Sequence, residues 1–181
     1  MSLRETLLRS QDRLVISAVK KLIISIVAMG LLLVGNSRLS AEELTISLAD
    51  LSTFDYQPEV PDSGDRVVRA KKDYLSGFMP QEILKLDKKS ISITGYMMPI
   101  KSDGQVVQEF LLVASTMACC YGVMPSYNEF IYVKMSGPGA LAVDNVPITL
   151  YGKLSIEETW ENGFFSHLYF IRGQKVEIGT F

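Results

Sequence analysis

Ser90 to Ile100 reads SISITGYMMPI and Val106 to Ala114 reads VVQEFLLVA, two β-branched, apolar runs either side of Ser102-Asp103-Gly104. The first run alternates, with Ile91 and Ile93 between Ser90, Ser92 and Thr94, which is the period of a strand buried on one face. Turn residues between two such runs predict a hairpin. Glu129 to Met135 (EFIYVKM) alternates as well, with Phe130, Tyr132 and Lys134 on one side and Ile131, Val133 and Met135 on the other, and one of those sides is core. After the turn Ser136-Gly137-Pro138-Gly139, Val146 to Ile156 (VPITLYGKLSI) reads as a fourth strand. Pro147 stands at its start, where a missing donor does least harm. Glu157 to Gly163 reads as a polar, solvated turn holding Glu157, Glu158 and Glu161, and Ser166 to Arg172 as a fifth strand. The expected fold is therefore mainly β: a small five-stranded, OB-like, partly closed barrel with one or two short helices and a long insertion between the second and third strands. Gly95 and Gly152 fall inside strand patterns, where they mark either barrel corners or simple bulges.

Upstream of these strands, Tyr74 to Leu86 suits one short helix, with Pro80 at a first helical position and Ile83, Leu84 and Leu86 behind it. The stretch before it is polar and punctuated by Pro58, Pro61 and Gly64, so residues 42–79 are expected to be an irregular lead-in to a β-barrel-like domain over 80–181. Leu22 to Gly35 (LIISIVAMGLLLVG) is an uncharged apolar run behind Lys20-Lys21, the anatomy of a secretory signal over 1–41 with cleavage after Ala41. The run is short of the roughly 20 apolar residues of a spanning helix. An uncleaved amino-terminal anchor is the alternative, because Leu14 to Val19 is also apolar. The expected location is the periplasm or cell envelope, with membrane contact only through this amino-terminal segment.

The 181 residues are enough for one ordinary domain, and 48% hydrophobic against 21% charged residues are globular proportions. The net charge of -2 is uneven: residues 1–41 carry six basic and two acidic side chains, and subtracting that +4 leaves about -6 for the rest. A mildly acidic domain gains little from counterion release on phosphates, so nucleic acid is not an expected partner.

Both cysteines lie side by side in Ser115 to Asn128, STMACCYGVMPSYN, between the second and third strands, where functional loops concentrate. Adjacent Cα atoms sit about 3.8 Å apart, below the usual disulfide span of about 4.4–6.8 Å, so a Cys119–Cys120 bridge would be strained and easily reduced. Four fates stay open: packed thiols, the strained bridge, thiolates on a metal, or a bridge to another molecule. A soft ion, copper or zinc, would need further donors, for which Met97, Met98, Met117 and Met124, with the single His167, are the candidates. His167, the single histidine, could instead lower the pKa of a neighbouring thiol. Gly122, Pro125 and Asn128 shape the loop, Asn128 by a side-chain bond to the backbone that fixes where the third strand begins. Glycine-rich phosphate loops, serine nucleophile elbows and paired zinc histidines do not occur.

The series ITGYMMPI, EFLLVA, CCYGVMPSYNEFIYV and PITLYGKL resembles the bacterial domain-of-unknown-function family 3299 across roughly Pro80 to Arg172, with Cys119, Cys120, Gly122, Pro125 and Asn128 at the matching positions. The resemblance implies an exported or lipid-anchored protein, in some relatives encoded beside transporter components, and supplies no chemistry. Three functions follow as expectations. In the first, a non-catalytic envelope protein binds a soft metal ion or a partner, such as a transporter component, through the Cys119-Cys120 loop. In the second, a thiol–disulfide protein uses the vicinal pair, although redox motifs usually space their cysteines two residues apart. In the third, the cysteines merely pack in a structural domain.

Overall fold

The computed structural model describes residues 20–21, 43–61, 66–69, 72–117, 122 and 125–179. The chain divides into residues 1–40 and 41–181, and the second unit carries the elements that follow. In chain order they are β1 (Leu44–Ser47), α1 (Leu48–Leu51), β2 (Val67–Arg69), α2 (Lys72–Leu75), α3 (Gln81–Leu84), β3 (Ser90–Asp103), β4 (Val106–Val113), β5 (Phe130–Met135), β6 (Ala140–Leu141), β7 (Pro147–Glu161) and β8 (Phe164–Ile178). Apart from Lys20 and Lys21, the export signal expected over 1–41 lies outside the described residues. Among those described, no helix is long and apolar enough to cross a membrane.

All the strands join one sheet with the path β1-β3-β4-β5-β8-β7-β2, β6 pairing with β4. An additional β3–β7 pairing, from Ser90↔Lys153 to Tyr96↔Pro147, makes a ring through β3, β4, β5, β8 and β7. Those are the five strands expected from sequence, and the molecule is mainly β. Alternation sets the core: Ile91, Ile93, Phe110, Leu112, Ile131 and Val133 are completely buried, while Thr94, Glu109, Tyr132 and Lys134 between and beside them are wholly or partly exposed. Each such side chain contributes about 1.5–3 kcal/mol by leaving water.

The ring demands close backbone approaches at two glycines. A Cβ on Gly95 would lie 2.8 Å from the Val113 carbonyl oxygen, and one on Gly152 would lie 2.6 Å from that of Arg172. Gly152 also stands at a register shift between β7 and β8, so it marks a bulge and a point of contact together. The β3–β4 hairpin turns at Gly104 and Gln105, one residue later than expected, with Gly104 at φ +58° in the first central position.

Three local expectations are corrected. The 42–79 stretch is not uniformly irregular: β1 pairs in parallel with β3, from Leu44↔Ile91 to Ser47↔Thr94, and α1 follows under a Ser47–Asp50 capping box. A four-residue strand whose partner lies about 47 residues away has no local signature, which is why composition misreads it. The helix expected over Tyr74 to Leu86 is two single turns, α2 and α3. Pro80 sits at the N-cap of α3 with ψ 141°, and its ring disfavours the helical region for Met79. Finally, Glu157 to Gly163 is no solvated turn. β7 continues to Glu161, Glu158 and Thr159 are fully buried, and only Asn162-Gly163 turns the chain.

Candidate functional site

β4 and β5 are hydrogen-bonded neighbours whose last register pair is Val113↔Phe130, yet residues 114–129 intervene between them. Two residues suffice to join antiparallel strands, and loops beyond about 12–15 residues usually serve a function. Cys119, Cys120 and Met124 lie outside the described residues; the residues on either side of their segment are held by local hydrogen bonds. On the departing side the Met117 amide donates to Ser115 Oγ at 3.1 Å. On the returning side the Ser126 amide donates to Glu129 Oε2 at 2.7 Å, and the Glu129 amide donates back to the Ser126 carbonyl at 2.9 Å.

Asn128 does make a side-chain bond to the backbone, but a distant one. Its buried Nδ2 donates to the carbonyl oxygen of Phe54 at 2.6 Å and so ties the loop's return to the segment after α1. Tyr127 packs edge-on against Phe165 at 4.8 Å, and Phe165 touches Tyr56 at 6.1 Å and Trp160 at 5.6 Å. Phe54, Tyr74 and Phe78 continue this aromatic cluster around Tyr56. Gly122 takes φ +64° and is exposed, a backbone state that a side chain would strain, and Pro125 is half-buried.

Two further candidates, Met97 and His167, are not brought together. Met97 is a core residue on β3, filling space beside the other buried apolar groups. His167, only 4% exposed, stacks on Tyr132 at 5.0 Å and also contacts Phe170 at 5.7 Å. Tyr132 alternates with Ile131 and Val133, so this stack lies on the outward side of the ring, away from Met97. His167 Nδ1 and Ser166 Oγ are 3.0 Å apart. Nε2 has no hydrogen-bond partner among the described residues, nor has Oγ1 of Thr159, its register partner on β7. Burial above all, and then the Arg66 guanidinium, hold the imidazole pKa down at about 4, so it is neutral and retains a lone pair at neutral pH. Among the described residues no three His, Cys, Asp or Glu side chains gather around a common point.

Sequence reasoning missed the polar groups next to this histidine. The Tyr132 hydroxyl donates to Glu109 Oε2 at 2.6 Å, and Lys134 approaches Glu109 Oε1 at 2.9 Å. Burial and the Glu109 carboxylate push the Tyr132 pKa up to about 12, while the tyrosine bond and Lys134 hold Glu109 below the usual carboxylate value. Glu158 is completely buried, and Trp160 Nε1 donates to it at 2.5 Å. The signal available for Glu158 was its place between Ile156 and Trp160 just ahead of an Asn-Gly pair, a strand end rather than a loop.

The sequence matches, over residues 65–178, the family described as "Protein of unknown function (DUF3299)". No curated protein matches it. The fold is similar to the crystal structure of a DUF3299 family protein from Pseudomonas aeruginosa PAO1, with a TM-score of 0.53 and 18% sequence identity. That likeness covers 77% of this chain and 97% of the other. With the larger part of its length matched, the chain belongs to the DUF3299 family.

Proposed function

We propose that the protein is an exported component of the bacterial cell envelope, built on an OB-like barrel, that works by binding rather than by catalysis. The segment carrying Cys119 and Cys120 is its contact surface, and the ligand is a partner protein such as a transporter component. The observation that carries this reading is the loop itself: residues 114–129 connect strands that two residues could join, on flanks held by Asn128 and by Tyr127 against Phe165. Met117, 57% exposed, and Tyr127, 41% exposed, flank the segment on either side, the kind of side chain that protein interfaces bury. A soft metal ion is the second reading, favoured by two adjacent thiols in one loop.

Site-specific photo-crosslinking from position 117 in intact cells, with and without the paired change Cys119→Ser and Cys120→Ser, tests the proposal. A discrete crosslinked partner that weakens in the serine variant is expected; identical crosslinking in both, or none, would remove the cysteine segment from the contact. The intact mass of the native protein separates the alternatives. A metal-sized excess with two alkylatable thiols supports the metal. A mass two hydrogens light that reverts on mild reduction supports a redox pair, and two free thiols with no excess return the cysteines to packing.

A further inference from the structure

Arg172 of β8 is the register partner of both Lys134 on β5 and Lys153 on β7. Directly opposed residues share a face of the sheet, and all three are exposed while Val133, Leu154 and Ile171 beside them are buried, so three neighbouring strands present three cations outward in one row. The strands are about 4.8 Å apart, which makes the row a compact patch. The row continues through Glu109 on β4 to Lys101 on β3. There the Glu109 carboxylate, bonded to Tyr132 and paired with Lys134, interrupts it.

The patch has company on both sides. Toward one end of the strands the next row holds Tyr132, Phe170 and Ser155, and Lys88 Nζ reaches Ser155 Oγ at 2.8 Å while lying 3.5 Å from Asp87. Toward the other end Lys175 lies over the Tyr151 ring at 5.3 Å and pairs with Glu177, with Glu43 close enough to be felt by both Tyr151 and Lys175. Counted over Lys88, Lys101, Lys134, Lys153, Arg172 and Lys175 against Glu43, Asp87, Glu109, Glu157 and Glu177, the face is positive by one, the Arg66–Glu161 pair beside Tyr132 cancelling, on a domain whose formal charge is about -6. Among the described residues neither Lys153 nor Arg172 has an ion-pair partner.

We propose that this outward face of β5, β8 and β7 docks on the anionic headgroups of a lipid bilayer. Two features favour a bilayer over a polyanionic chain. Glu109 breaks the row on β4, so the positive charge forms a patch on adjacent strands rather than a track around the ring. The half-buried rings of Tyr132 and Phe170 lie beside the cations, the amphipathic pairing that suits the boundary between headgroups and acyl chains. The apolar run 22–35 also stands only a few residues ahead of β1 in the sequence, so a weak surface contact would add to any hold that run has on a membrane. The proposal is independent of the cysteine segment, and its failure would leave the binding role of that segment untouched.

The test is co-sedimentation of the native protein with vesicles of phosphatidylcholine alone or mixed with phosphatidylglycerol, for the wild type and the double variant Lys153→Gln, Arg172→Gln. Both proteins share the same amino-terminal segment, so their difference reads the face. At roughly 1 kcal/mol per cation near an anionic surface, the double variant should lose about thirtyfold in binding to the anionic vesicles, with its thermal midpoint unchanged. Added salt should abolish the wild type's preference for anionic lipid. Equal binding of the wild type to both vesicles at low salt overturns the proposal whatever the variant does. So does a variant that binds like the wild type, or retention on heparin without any lipid preference.

Discussion

His167 is the residue whose surroundings make the sharpest demand. Its ring is stacked on Tyr132 and shut away from water, and the Arg66 guanidinium opposes a second positive charge. The unfolded chain takes up a proton near pH 6.5, whereas the folded one resists until about 4, so the unfolded state holds more protons between those values. Stability should therefore be fully present above about pH 6.5, decline as pH falls toward 4, and level off below. The component at stake is at most about 3 kcal/mol. His167→Phe keeps a ring for the stack and removes the titration. Urea unfolding at a series of pH values should show the wild-type decline reduced by that component in the variant, and superimposable slopes would refute the burial argument. Asn128 tests the loop at the same scale. With Nδ2 removed, the Phe54 carbonyl loses its described partner, and Asn128→Ala should cost about 1–3 kcal/mol in the same unfolding measurement.

The β7–β8 hairpin shows how sequence signals compete at the scale of the element. Glu157, Glu158 and Glu161 pull the reading of this stretch toward solvent, but Asn162-Gly163 is the stronger signal. Asn162 takes φ +53° and Gly163 φ +80°, the two left-handed positions of a type I′ turn, and the strands pair up to Glu161↔Phe164. Gly163→Ala should destabilise the protein by about 1–2 kcal/mol, because a Cβ resists the left-handed region although nothing crowds it there. An unchanged thermal midpoint would mean that the turn does not set this hairpin. Gly152→Ala fails for a different reason, a Cβ driven against the Arg172 carbonyl, and should cost about 1–3 kcal/mol. The five ring strands were legible because each repeats a period of two over several residues, as Ile91 and Ile93 or Ile131 and Val133 do. Buried Glu158 was not, since polarity speaks for solvent unless a partner such as Trp160 is known. The outward cations Lys134, Lys153 and Arg172 were each visible in the sequence, but only the register between strands places them side by side.

For the whole molecule, what must be present for the ring to fold is a question of which residues finish its core. Leu48 and Leu51 of α1, with Tyr56, Leu75 and Met79, are all buried in the same cluster as the ring's interior. The Tyr169 hydroxyl, inside the ring, donates to the carbonyl oxygen of Leu51 at 2.8 Å, and burial raises the pKa of that phenol. The stretch ahead of Pro80 therefore covers apolar surface that the strands cannot cover by themselves. At about 1.5–3 kcal/mol for each buried side chain, losing these five would remove as much as the 5–15 kcal/mol by which ordinary domains are stable. A chain beginning at Glu43 should unfold in one cooperative thermal transition. One beginning at Pro80 should lack that transition and expose apolar surface to a hydrophobic dye. A cooperative transition in the shorter chain, at a midpoint within a few degrees of the longer one, would show that the ring folds without its lead-in. It would also restrict the domain to residues 80–181 and leave β1 and α1 as an appendage.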